Sequence, residues 1–261
     1  MKNSISKTIL YSSIAIVAML ISSFTLQNAI EKKETNKVTL KTLNNGFAVL
    51  ELFTSQGCSS CPPADAVLGN YALENNPNII PLAFHVDYWN YIGWKDPFSK
   101  AQFSERQRAY ARMMNSQGNY TPQLIINGKR ELVGSRESEI KDIVAAELVI
   151  KKQNTIAIKK ATLNNNHVNV AYNFDGATPN TVINVALVKK QEFTRIKRGE
   201  NSGLKQTSYN IVFDFKTVSS ASNAESFEFK KEWLSSDYFV VVYLQNNKTG
   251  KVLAVSKSEI K

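Results

Sequence analysis

Cysteine and histidine are scarce: the 261-residue chain holds two of each. A structural zinc centre wants four ligands, and only Cys58, Cys61, His85 and His167 are on offer for one. The two cysteines stand three positions apart, so a bond between them closes too small a loop to staple the fold. No Met-rich or His-rich tract supports copper handling. There is no internal repeat, no low-complexity segment and no basic helix or nucleic-acid motif, so nucleic acid is not an expected partner despite a formal charge of +10.

That charge is uneven. Residues 31–147 balance at thirteen basic against thirteen acidic groups, while residues 148–261 carry seventeen against nine, mostly as scattered lysine pairs on what reads as a solvated surface. Lys2 and Lys7 precede an uncharged stretch from Thr8 to Ile30 with an apolar centre at Ile9–Leu26. A positive segment followed by an apolar one is an export signal, or an N-terminal anchor if it stays uncleaved. Residues 1–30 are therefore expected to take the protein out of the cytoplasm, as a periplasmic or secreted protein. No cysteine follows that segment to carry a lipid, and a membrane is met only through the uncleaved segment. Residues 31–45 are polar and read as a linker.

Beyond the linker, Phe47–Phe53 reads as a buried strand and Ile79–Val86 as a second, interrupted by Pro81. Between them Ala64, Val67, Leu68, Tyr71 and Ala72 recur at helical spacing. Strand, helix, strand over about forty residues predicts a parallel βαβ unit. An aromatic loop follows (DYWNYIGWKDPF, 87–98), then a helix over 99–115. A hairpin comes next, turning at Asn127-Gly128, and a helix over 137–151 ends the region. After residue 153 short alternating segments separated by turn residues predict an antiparallel β-sandwich. The expected organisation is α/β over 46–152 and a β-sandwich-like domain over 153–261.

The chemistry gathers at Cys58-Ser59-Ser60-Cys61. A CxxC between a buried strand and a helix places thiols near free N–H groups that favour thiolate. Cys58 is expected to be the exposed nucleophile and Cys61 the resolving thiol. Pro62 and Pro63 have no N–H, so the helix is expected to start at Ser60 or Cys61 and to leave Cys58 just outside it. Thr121-Pro122 precedes the hairpin, where a cis-proline would set a backbone edge facing the disulfide. Glu51 lies in the first strand; pointing inward it would be a buried carboxylate able to relay a proton to Cys61, pointing outward a solvated one. His85 and Asp87 end the second strand. Trp89, Tyr91 and Trp94 then form either a substrate platform beside the cysteines, with Thr121 and His85, or core filling.

The blocks FTSQGCSSCPPAD, FHVDYWNYIGWKDPF, RQRAY and YTPQLIING resemble a family of exported bacterial proteins catalogued as a domain of unknown function. That family is similar to thioredoxin-like proteins with a β-rich C-terminal region. The resemblance runs from Val49 to Val133, and RGENSGLKQTSYNIV (198–212) looks like the family's Gly-Glu-Asn-x-Gly signature. Ser208 stands where histidine is expected, and Asn90 where an acidic residue is. The resemblance implies a thioredoxin-like domain over 46–152, Cys58 and Cys61 as a redox pair, Pro122 as the cis-proline, and Gly199, Glu200 and Asn201 as a structural turn. The expected activity is thiol–disulfide exchange on a protein or small-molecule thiol or disulfide, with no cofactor and no bound metal. A soft-metal site such as Cu(I) on the two thiolates, or a protein-interaction module, are the alternatives.

Overall fold

The apolar run at 47–53 forms β1 (Ala48–Thr54), buried along its whole length, and Ile79–His85 forms β2, buried likewise. Strands buried on both faces read as continuous apolar runs, and these two pair in parallel, with Thr54 opposite His85. The computed structural model describes residues 46–116, 118–176, 179–230 and 232–261. The expected export segment (1–30) and linker (31–45) lie outside the described residues.

Helix α1 (Pro62–Glu74) joins β1 to β2, and α2 (Ala101–Met114) follows the aromatic loop. Strands β3 (Gln123–Ile126) and β4 (Arg130–Val133) pair antiparallel. Asn127 and Gly128, both at positive φ, turn between them in a connection of three residues, 127–129. Helix α3 (Glu137–Leu148) packs beside α1 on one face of β1: Leu50 and Leu52 meet Ala64, Val67, Leu68, Ile140 and Val144. The alternate residues Val49 and Phe53 face the other way, toward Phe103 and Tyr110 of α2.

Seven more strands follow: β5 (Thr155–Asn164), β6 (His167–Asp175), β7 (Thr181–Arg195), β8 (Lys205–Ser219), β9 (Ala224–Glu228), β10 (Tyr238–Asn246) and β11 (Val252–Glu259). They divide between two sheets. Four of them extend the first sheet, in the order β11-β10-β7-β8-β2-β1-β3-β4, and β5-β6-β9 form a second sheet. The chain is thus a mixed α/β protein with one large sheet and few helices. The reason lies at β2: wholly buried, it needs cover on both edges, and β8 supplies the second. Pro81 has no N–H to give, so that contact is reduced to one ladder pair, Ala83 with Ile211. Asn210 Nδ2 donates to the Pro81 carbonyl at 3.0 Å.

Strands β7 and β8 run longer than their apolar segments. The polar residues 189–195 pair with 205–211 as a two-stranded ribbon, from Lys189 opposite Ile211 out to Arg195 opposite Lys205. Its tip, residues 196–204, is tied by Ile196 N–H to Leu204 O and Gly203 N–H to Ile196 O. The second sheet packs on the first through Ile156, Val168, Val170 and Phe227 against Val185, Leu187, Val240 and Val242. Among the described residues no helix is long and apolar enough to cross a membrane.

Candidate functional site

Cys58 and Cys61 form a disulfide in the loop between β1 and α1. Cys61 is the N-cap of α1, with Pro62 and Pro63 in the first two helical positions. Neither proline offers an N–H, and the next two amides, of Ala64 and Asp65, both donate to the Cys61 carbonyl. The helix start therefore aims no free amide at Cys58. Ser60 supplies the polar contact instead, its Oγ 3.4 Å from Cys58 Sγ.

The expected exposure of Cys58 is not what the structure has. Both cysteines are fully buried, while Ser59 and Ser60 are exposed. A segment from far along the chain is bonded to this loop. The Asn201 side-chain amide donates to the carbonyls of Gln56 and Cys58, each at 2.9 Å, and a Glu200 carboxylate oxygen accepts from Ser59 N–H at 3.3 Å. Gly199 sits at φ +76, where a Cβ would meet Trp94 Cβ at 3.2 Å and the Ile92 carbonyl at 3.3 Å. The Gly199-Glu200-Asn201 turn is thus the tip of the β7–β8 ribbon seated on the cysteine loop.

The aromatic loop braces the same segment from another side. Trp94 Nε1 donates to Gln56 Oε1 at 3.1 Å, and Gln56 N–H donates to Asp96 Oδ2 at 2.7 Å. Trp89 Nε1 donates to Thr121 Oγ1 at 2.8 Å, and a Cβ on Gly57 would meet Trp89 Cβ at 3.1 Å. Thr121-Pro122 is a cis peptide, and the Thr121 carbonyl accepts from Ser60 Oγ at 3.4 Å. Tyr91 projects into solvent at 83% exposure. Asn90, where an acidic residue was expected, accepts from Asp96 N–H and donates to Ser99 Oγ, both at 3.0 Å.

Glu51 is buried, but not beside Cys61. Strand alternation turns it away from α1 and toward α2, where Arg106 binds it through two nitrogens at 2.6 and 2.9 Å and Tyr110 Oη donates to it at 2.6 Å. Arg106 is itself held by the Tyr243 hydroxyl and stacks over the rings of Tyr110 and Phe215, 4.9 and 4.7 Å from their centroids. This carboxylate is fully engaged in joining β1, α2 and β10, and the relay expected of it is withdrawn.

The residues on the α1 side of the sheet are different. Thr54 and His85, opposite each other in register, lie on the face that bears α1, and Asp65 of that helix is buried against them. Burial, the largest influence, pushes the Asp65 carboxyl up to about 6; the His85 charge and the Thr54 and Gln206 side chains restrain the rise, and Asp96 adds to it. Gln206 Nε2 donates to Asp65 Oδ2 at 2.7 Å. His85 Nδ1 donates to Asp96 Oδ2 at 2.7 Å. Burial acts to lower the His85 value, but the charge and hydrogen bond of Asp96 and the charge of Asp65 together raise it. Asp96 moves the other way: burial raises it, and His85 with the Gln56 and Phe98 amides brings it below the usual carboxylate range. Within this region the buried atoms Thr54 Oγ1, His85 Nε2, Gln56 Nε2, Gln206 Oε1 and Ser208 Oγ have no hydrogen-bond partner among the described residues. Asp65 was not singled out in the sequence, although a signal existed: it shares the helix face of Cys61, Leu68 and Ala72, an acid on an apolar stripe.

Among the described residues no group of three or more His, Cys, Asp or Glu side chains is placed to hold a metal. A family model described as "Protein of unknown function (DUF1223)" matches residues 49–245. No curated protein matches the chain. Among solved structures, it is similar to the X-ray crystal structure of a protein from Agrobacterium tumefaciens. That match has 28% identity and a TM-score of 0.61, covering 80% of this chain and 92% of that one. It is also similar to HBP35 of Porphyromonas gingivalis, at 12% identity and a TM-score of 0.58, covering 83% of this chain and 76% of that one. The second likeness concerns the fold alone.

Proposed function

The chain belongs to the DUF1223 family, whose description assigns no reaction, and we propose that this protein is an exported thiol–disulfide oxidoreductase working through Cys58 and Cys61. The observation that carries the reading is the disulfide itself, placed between a buried strand and a helix, in a loop whose Ser60 donates to the carbonyl of the cis Thr121-Pro122 peptide. Its three-residue separation makes it a poor staple, so its use is chemical. Support for a thioredoxin-like scaffold comes from the run β1-α1-β2-α2-β3-β4-α3, with strand order β2-β1-β3-β4 and β3 antiparallel to β1. Export by residues 1–30 suits the reading, because a disulfide persists in an oxidising compartment.

In the exchange, the Cys58 thiolate attacks a substrate disulfide and Cys61 displaces the substrate from the mixed disulfide. The ribbon tip must first withdraw from the cysteine loop, because both sulfurs are covered. Ser59, Ser60 and the Thr121 carbonyl edge would then meet the substrate, with Tyr91 nearby in the aromatic loop as an apolar contact.

Mixed-disulfide trapping tests this. Reduced full-length Cys61→Ser protein, mixed with oxidised glutathione, should form a stable adduct on Cys58, and Cys58→Ser should form far less on Cys61. No adduct on either, or equal adducts on both, would reject the assignment.

A further inference from the structure

We propose that Asp65 is the proton acceptor and donor for Cys61. The proposal rests on the thiol–disulfide reading and deepens it. Cys61 and Asp65 are four residues apart at the start of α1, where side chains at that spacing share a face about 5–6 Å apart between Cβ atoms. Asp65 N–H donates to the Cys61 carbonyl at 3.1 Å, which sets the two residues one helical turn apart, and the Cα–Cβ bonds of a helix tilt toward its N-terminus. Both residues are buried. Every element packed around Asp65 presents a polar group to it: Thr54 from β1, His85 from β2, Gln206 from β8, and Asp96 from the aromatic loop behind His85. A buried acid in such surroundings is poised between its two protonation states near neutral pH.

The step balances as follows. The Cys58 thiolate attacks one sulfur of the substrate disulfide, and the other sulfur leaves as a thiolate. Cys61 gives its Sγ proton to the Asp65 carboxylate. The Cys61 thiolate then attacks Cys58 Sγ, the mixed S–S bond breaks, and the second substrate sulfur leaves as a thiolate. Two electrons pass from the cysteine pair to the substrate, and the proton stays on Asp65. A groove between α1 and β8, lined by Pro62, Asp65, Ala66, Leu204 and Gln206, gives that proton a way out to solvent. In the opposite direction Asp65 returns the proton to the leaving Cys61 sulfur.

Reduced full-length protein is mixed with 5,5′-dithiobis(2-nitrobenzoate), and the two coloured thiolates are followed by stopped flow across pH 5 to 9. The first reports attack by Cys58, the second attack by Cys61. In the wild type the second phase should lose rate as pH falls through about 6. Asp65→Asn should slow the second phase roughly a hundredfold at neutral pH, remove that break and leave the first phase unchanged, with Asp65→Glu restoring the break. An Asp65→Asn second phase of wild-type rate and profile overturns the proposal. The wild-type profile needs no variant: two phases with no break between pH 5 and 7 overturn the relay while leaving the exchange reading intact. Release of neither thiolate overturns both.

Discussion

Asn201 donates its side-chain amide to the carbonyl of Cys58 at 2.9 Å, across 143 positions of sequence. This bond, with its twin to Gln56, seats the β7–β8 ribbon on the loop that carries the disulfide, whose two cysteines are buried. On the proposed function, access to the sulfurs would come with a local opening that frees the cysteine loop from the ribbon tip.

Asn201→Ala removes two hydrogen bonds worth about 1 kcal/mol each. The disulfide should be reduced by dithiothreitol roughly tenfold faster or more, read as the rate at which free thiols appear, with the thermal midpoint lowered by about 4–8 °C. Reduction at the wild-type rate would mean that the tip does not control access.

Gly199→Ala tests the same seat by a different route. The added Cβ must be accommodated at φ +76 against Trp94 and the Ile92 carbonyl, which costs about 1 kcal/mol or more. It should speed reduction in the same direction as Asn201→Ala. The pair of changes should combine to less than the sum of their separate effects, because both release one loop.

Arg106→Met leaves the Glu51 carboxylate buried without its cation. A loss of about 3–5 kcal/mol is expected, lowering Tm by roughly 10 °C in a unit of this size. Glu51→Gln with Arg106→Met should recover part of it. In Glu51→Gln alone the second thiolate phase should keep its wild-type pH profile, since Glu51 faces α2 rather than Cys61. A changed profile would return the relay to Glu51.

The pH dependence of stability carries the sign of Asp65. Its folded value, about 6, lies above the ordinary 3.8, so between these values the folded state binds more protons than the unfolded one. Stability from this group therefore falls as pH rises from about 4 to about 6, leaving it about 3 kcal/mol lower at neutral pH. The raised value of His85 contributes stability that is full below about 6.5 and is lost as pH climbs through the folded value. Asp65→Asn should be more stable than wild type by about 1–3 kcal/mol at neutral pH in urea titrations, with the gap closing near pH 4. Equal stability at neutral pH would show that the carboxylate bears no burial penalty.

The elements nearest the site were legible because their signals are local. Buried apolar runs mark β1 and β2, helical spacing marks α1, and Asn127-Gly128 marks the hairpin. The ribbon was not legible: residues 189–195 are mostly polar and carry no strand signal of their own, and only their pairing with 205–211 makes them strand. Strand β11 was missed for a similar reason, its second half being Ser, Lys and Glu with one buried edge supplied by β10. Alternation places Glu51 in a strand but does not say which face is which; Arg106, fifty-five residues on, decides that. Cys58 and Asp65 are bonded to Asn201 and Gln206, contacts across more than 140 positions that no local pattern announces.

The central claim, that Cys58 and Cys61 are a working redox pair, is tested most directly by equilibrating the full-length protein in glutathione buffers of graded ratio and counting free thiols. The account predicts that both thiols appear together along a two-electron curve, and that the same curve is traced from the reduced and the oxidised side. A disulfide that stays closed across the series, or thiols that do not re-form it on return to oxidising buffer, would contradict the account.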